Sequence, residues 1–378
     1  MENRLRRKLF HSQHPTPLTT GTENIGGRNM IIGLVLVLIA ILALPFLVKK
    51  IEHNLEIFLF LMGLIAVIIS GSISGHLFEE IFTNEMLYFI TAAVLIAGII
   101  FKFAVNKIRA GMGVITQKVS LPIIMALIII VLGLLSSVIT AIIASLVLVE
   151  MAQALPIGRK YRVQFCIIAC FSIGLGAALT PIGEPLATIV ISVLDENFFF
   201  LMNTLGIYII PGVVVMGLLG AIMVGRKAKV LSQTELDAEA AEYGISMESD
   251  SFNVIIVRAL KIFLFVIALE LLGSGFRPLI DAYVIHLDSM LLYWINMVSA
   301  VLDNATLAAA EISPSMDLVQ IKAILMGLLI SGGMLIPGNI PNIVSAAKLK
   351  IGSRDWAKLG VPLGLVILAV YFVLLFIL

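Results

Sequence analysis

Apolar residues run along this chain in unbroken blocks, and polar positions gather in the short segments between them. Six blocks lie at about 30–48, 55–74, 86–104, 200–225, 253–273 and 356–378. Each has roughly the 17–25 residues that an α-helix needs to cross about 30 Å of hydrocarbon. Two more, at about 163–194 and 322–352, are longer and interrupted by glycine and proline. Another two, at about 119–155 and 287–313, are too long for one crossing and too irregular for a plain span. None of them alternates with period 2, which excludes an outer-membrane β-barrel.

Composition agrees. Of 378 residues, 60% are hydrophobic and 13% charged, with a mean hydropathy of +1.10. Soluble domains carry about 45–50% apolar and about 25% charged residues. A soluble enzyme, a nucleic-acid binder and a disordered scaffold are therefore excluded. The net charge of +1 is uninformative, because in membrane proteins the placement of charge matters more than its sum. Cys166 and Cys170 sit at i, i+4 in one apolar run, which suggests neither a disulfide framework nor a metal cluster. The expectation is an all-α polytopic membrane protein with the lipid bilayer as its principal partner.

Lysine and arginine mark the cytoplasmic side. They cluster at Lys49–Lys50, Lys102–Lys118, Arg159–Arg162, Arg226–Lys229 and Lys348–Lys358, whereas the intervening segments are acidic or nearly uncharged. This predicts that 119–155 enters and returns on the cytoplasmic side, while 287–313 does so from the outside. The interrupted spans 163–194 and 322–352 then run in opposite directions, in a cell (inner or plasma) membrane. Residues 1–29 dissent, since Arg4, Arg6, Arg7, Lys8 and Arg28 fall outside. Either the natural start is Met30 or these residues form a short leader that crosses regardless of charge.

An internal repeat reorganises the picture. Ser136-Ser137-Val138-Ile139-Thr140-Ala141 aligns with Ser299-Ala300-Val301-Leu302-Asp303-Asn304, and Gly176–Gly183 with Gly332–Gly338 at one residue of slippage. Three crossings separate equivalent points, so the repeats are inverted. The expected organisation is a leader (1–29), an N-terminal pair (30–85), a first repeat (86–225), a cytoplasmic linker (226–252) and a second repeat (253–378). Inverted repeats with discontinuous helices characterise secondary transporters, whose site lies at the repeat interface.

Thr180-Pro181-Ile182-Gly183-Glu184-Pro185 and Pro337-Gly338-Asn339-Ile340-Pro341-Asn342 place prolines, glycines and polar groups inside spans. Irregular backbone at that depth is tolerated only where protein buries it or water lines it. The plainer reading is a pair of proline kinks. Asp303 falls at the centre of the outer hairpin, with Ser299, Asn304 and Thr306 supplying neutral oxygens. A membrane-embedded aspartate costs about 2.5–3.5 kcal/mol on insertion scales and normally faces a site, although it also serves as a helix cap. Ser136, Ser137 and Thr140 form the counterpart tip. Glu184 is the second intramembrane carboxylate, or a first-turn glutamate favoured by the helix dipole. Glu150, Glu270 and Glu311 are expected at headgroup level, Arg258 and Lys261 are expected to snorkel, and Tyr293 and Trp294 to join an interfacial belt.

These motifs resemble the ion transporter superfamily, which includes arsenite permeases, NhaD-type sodium/proton antiporters and divalent anion:sodium symporters. Ser299–Asn304 is similar to the hairpin motif of the first two branches, Gly338–Val344 to their broken-helix motif, and Thr180–Gly183 to the break of the first half. The likeness covers about residues 86–378, with the cation transporter branch the nearest. It implies two inward-pointing hairpins, a transport domain moving against a scaffold, and a homodimer. The first hairpin departs from it, because Ser136–Thr140 lacks the asparagine common there.

The first function this predicts is sodium/proton exchange. Asp303, Asn304 and Asn339 would hold Na⁺, and Glu184, Thr180, Gly183, Gly338 and Asn342 would complete the site. A sodium-coupled carboxylate symporter and an arsenite-type efflux permease are the alternatives. The anion reading has two carboxylates against it and no lysine or arginine at either break. GxSxG, HExxH and Walker motifs are absent from the sequence, so an enzyme or a nucleotide-driven pump is not expected, and no cofactor beyond transported Na⁺ and H⁺ is implied.

Overall fold

A computed structural model describes residues 23–378 apart from 53, 84–86, much of 89–117, 233, 237, 239–250, 284–286, 303 and 313–315. The described residues are helical, and their one β-contact is an isolated antiparallel bridge between Ile157 and Val230. Among the described residues, four helices are long and apolar enough to cross a membrane: Gly27–Pro45, Leu121–Ile139, Phe200–Gly225 and Ser353–Phe376. The expected span 86–104 lies largely outside the described residues.

The chain opens with α1 (Glu23–Leu47), which starts inside the segment expected to be a polar leader. It packs on α2 (Leu55–Ser70), which a left-handed Gly71 ends at φ 69°. The short α3 (Gly75–Thr83) follows. Against α2 lies the much later α9 (Phe252–Tyr283), 32 residues long, where a shorter span was expected. Small residues allow this approach: a Cβ on Gly63 would come within 2.8 Å of Leu271 Cβ, and one on Gly275 within 2.6 Å of Ala66 Cβ. An ion pair at 3.5 Å between Lys261 and Glu56 adds to it.

The middle of the chain forms α4 (Leu121–Ile139) and α5 (Ala141–Ala154), joined at the single residue Thr140. Pro122 in the first turn of α4 costs nothing, because that amide has no intrahelical partner. Next come α6 (Arg159–Ala177), α7 (Pro185–Leu194) and α8 (Phe200–Gly220), the last passing into a five-residue π-helix at Ala221–Gly225. Each of the prolines 181 and 185 removes an amide donor. Accordingly α6 stops before Pro181, and α7 starts on Pro185.

The last third repeats this order. α10 (Ser289–Ile295) continues as a 3₁₀ turn over Asn296–Ala300 and is followed by α11 (Asn304–Glu311). α12 (Leu318–Gly332) begins with a capping box between Asp317 and Gln320. It breaks at Gly333–Asn339 and resumes as α13 (Ile340–Leu349), with Pro341 in its first turn. α14 (Ser353–Phe376) closes the chain. Tyr293, expected at an interface, is instead fully buried, and its hydroxyl donates to Leu368 O at 2.8 Å.

Packing follows the same order in both thirds. α4 packs on α6 and α10 on α12; α8 packs on α6 and α14 on α12. The second limb of each pair crosses over: α5 contacts α13, and α11 contacts α7. The two interrupted helices are thereby wedged between the limbs; the second break is buried throughout, while the first is buried at Thr180, Gly183 and Glu184 and exposed at Ile182.

Candidate functional site

The first junction joins the tip at Thr140 to the break at Thr180–Glu184. Ala141 N–H donates to Gly183 O at 2.9 Å, and the Thr180 hydroxyl donates to Ser137 O at 2.5 Å. Ser136 Oγ lies 2.6 Å from Gly133 O and 3.0 Å from Ile173 O, and Ser137 Oγ–H donates to Leu134 O at 2.7 Å. These hydroxyls therefore tie α4 to α6 and to their own helix, while their oxygen lone pairs stay available. Glycine makes the approach possible. A Cβ on Gly176 would overlap the Gly133 carbonyl, and one on Gly183 would overlap that of Ala177. Glu184 is buried, 6% exposed, immediately ahead of α7, where the amide dipoles favour a negative charge.

Thr140 holds φ 73° and ψ 150°, a region that residues with a Cβ rarely occupy and that costs about 1–3 kcal/mol. Its hydroxyl accepts from Ile143 N–H at 3.4 Å and caps α5.

The second junction joins Ser299 to the break at Gly333–Asn339. Ser299 is fully buried, and its hydroxyl donates to Leu328 O at 3.2 Å. A Cβ on Gly338 would lie 2.6 Å from both Gly332 O and Ser299 O, so backbone meets backbone there. Asn342 Nδ2 donates to Gly332 O and Leu335 O, each at 2.8 Å, and so caps carbonyls that the break releases. Asn342 Oδ1 and Asn304 Nδ2 are buried without a hydrogen-bond partner among the described residues. Buried polar atoms are paired in more than nine cases in ten, so these two stand out among the described residues.

The second junction lies against the middle of α6. Asn339 is 4% exposed, and a Cβ on Gly174 of α6 would lie 2.6 Å from its Nδ2. Cys170 Sγ stands 3.3 Å from Ser345 Oγ and 3.5 Å from Pro341 O. By sequence the thiols precede the first break; in space Cys170 lies against the second.

Of the residues expected to bind, the structure gathers Ser136, Ser137, Thr140, Thr180, Gly183 and Glu184 at one junction. Ser299, Gly338, Asn339 and Asn342 gather at the other, and Asn304 is buried at the start of α11. Asp303 lies outside the described residues, and so does the side chain of Thr306. Two carboxylates expected at headgroup level are buried instead. Glu150 is 7% exposed and pairs with Lys348 at 3.4 Å; Glu311 is 2% exposed and accepts from Asn296 Nδ2 at 2.9 Å. Arg162, a member of the basic cluster expected on the cytoplasmic side, is buried with Nε and Nη2 donating to Ala152 O and Ile157 O.

A family model matches residues 31–378, which takes in both junctions and all the helices from α2 onward. The chain belongs to this family, DUF1646, described as a protein of unknown function. No curated protein matches the chain in sequence.

Proposed function

We propose that the protein is a secondary active transporter that exchanges a cation, Na⁺ in the first instance, for protons across a cell membrane. In this reading α4–α5 and α10–α11 are re-entrant hairpins of two inverted repeats, α6–α7 and α12–α13 are broken transmembrane helices, and the binding site lies where the breaks meet. The observation that carries it is the contact of each break with its tip: Gly183 and Thr180 with Ala141 and Ser137, and Gly338 with Ser299. Each break frees backbone groups; the first carries a buried carboxylate (Glu184) and the second carries buried amide side chains (Asn339, Asn342).

Asp303, flanked by the buried Ser299 and Asn304, binds Na⁺ or a proton in alternation. A single carboxylate that takes either ion but not both yields exchange directly. Glu184 is the second protonatable group, and two nearby carboxylates raise each other's proton affinity. An anion at the same place would meet two acidic groups and no lysine or arginine at either break, and Coulomb repulsion is severe at low dielectric. A homodimer and the sidedness set by the basic clusters complete the proposal.

The test is proton flux in proteoliposomes carrying an imposed pH gradient and a pH-sensitive dye. Added Na⁺, K⁺ or Li⁺ dissipates the gradient through the wild-type protein, and Asp303→Asn abolishes the effect. Folded wild-type protein that moves no protons with any of the three ions overturns the reading and turns attention to Na⁺-driven anion uptake and to arsenite.

A further inference from the structure

Both second limbs carry a buried glutamate, and among the described residues only one of the two has a fixed counter-charge. Glu150 on α5 faces α13, which supplies Lys348 at 3.4 Å. Glu311 on α11 packs beside α7, whose sequence from Pro185 to Leu194 contains no ionisable residue. Glu311 is 2% exposed, and among the described residues its one hydrogen bond is from the neutral amide of Asn296 at 2.9 Å. No Lys, Arg or His among the described residues forms an ion pair with it.

A carboxylate removed from water must be paired, strongly hydrogen-bonded or protonated. The other ionisable groups on elements packed against α11 are few. On α9 they are Arg258, Lys261, Glu270, Arg277 and Asp281; on α12 there is Lys322. Lys261 is engaged by Glu56, Lys322 stands 5.8 Å above the Tyr208 ring, and Arg277 is exposed. Glu184, just ahead of α7, is acidic and supplies no counter-charge.

Asn296 is itself built to be held in place. Its carbonyl accepts from Ser331 Oγ–H at 2.7 Å, and its side chain is fully buried with Oδ1 lacking a partner among the described residues. An amide with Nδ2 on the carboxylate and Oδ1 unoccupied can turn over: Nδ2 donates to an ionised Glu311, and Oδ1 accepts from a protonated one. The geometry points to Glu311 as a reversible proton-binding carboxylate of the α10–α11 pair, read by Asn296, whose positive counter-charge arrives from solution. Its part in transport rests on the exchanger reading above; its protonation does not.

The experiment is pH-difference infrared spectroscopy on the full chain in lipid, paired with the proton-flux assay. Wild-type protein gives a protonated-carboxyl band on acidification, part of which disappears in Glu311→Gln and persists in Glu150→Gln. Asn296→Leu keeps Glu311 but removes its donor, so the band changes position and persists to higher pH; this arm decides the matter if Glu311→Gln does not fold. Identical difference spectra for wild type and Glu311→Gln, or for wild type and Asn296→Leu where Glu311→Gln does not fold, overturn the inference. Where wild type exchanges Na⁺ for protons, Glu311→Gln shifts the pH profile of the rate, and an unmoved profile overturns its part in transport alone. A Glu311 band without any exchange leaves protonation standing and removes the exchanger.

Discussion

Glu150 and Lys348 approach to 3.4 Å between α5 and α13, with side chains only 9% and 10% exposed. They join a limb of the first helix pair to the second half of the interrupted helix from the other end of the sequence. Arg159 reinforces the same seam, with Nη1 donating to Leu349 O at 2.9 Å and Nη2 to Lys350 O at 2.7 Å. Together they close the end of α13, where Lys350 adopts a left-handed φ of 52°.

Breaking that pair leaves one buried charge uncompensated, which costs about 3–5 kcal/mol, whereas replacing both partners by apolar groups is often neutral. Glu150→Leu and Lys348→Met each lower the thermal midpoint of the detergent-solubilised protein, and the double variant recovers most of the loss. A double variant as unstable as the sum of the two singles would show that the residues act independently.

Gly176 of α6 lies against the Gly133 carbonyl of α4, leaving no room for a methyl group. Gly176→Ala overpacks a backbone-to-backbone contact and destabilises by about 1–3 kcal/mol or more. Gly75→Ala is the matched control, because a Cβ there meets nothing within 4 Å. Thermal unfolding of the two variants side by side checks the difference.

The helix breaks were legible because proline acts locally: a missing amide and a fixed φ interrupt a helix whatever surrounds it. Pro181, Pro185, Pro337 and Pro341 marked the breaks, and Asn339 and Asn342 stood out as polar groups within one of them. Glu150 and Glu311 were not legible, because their burial depends on α13 and α7 crossing over from distant parts of the chain. Near the predicted end of an apolar run, a glutamate that water solvates and one that a remote helix covers look alike. The burial of Arg162 was not legible either, since a basic residue in a cluster gives no sign that it caps buried carbonyls. Burial of Tyr293 under Leu368 is likewise a property of packing between α10 and α14.

Thr140 carries its strain at the joint between α4 and α5, with φ 73° and ψ 150°. Glycine has no Cβ to clash there, so Thr140→Gly relieves up to the ~1–3 kcal/mol of such a conformation against the loss of a long, weak cap to Ile143 N–H. The expected thermal midpoint equals or exceeds that of wild type. Thr140→Val keeps the strain and loses the cap, so its midpoint falls. If glycine destabilised more than valine, the joint would not be strained as described.

On the proposed exchange reading, a cation bound at the breaks would stabilise the folded state by mass action, about 2.7 kcal/mol at a hundred times Kd. Na⁺ added to the purified protein at constant ionic strength, with choline as the balancing cation, therefore raises the thermal midpoint with saturation. Asp303→Asn removes the charge that offsets the ion and abolishes the rise. Asn342→Ala separates two roles: it leaves the carbonyls of Gly332 and Leu335 without their donor, which costs about 1–3 kcal/mol of stability and lowers the starting midpoint. If Asn342 Oδ1 is also a ligand, the Na⁺-dependent rise shrinks as well; a lowered midpoint with an undiminished rise confines Asn342 to holding the break. A rise that choline reproduces would remove Na⁺ from the site altogether.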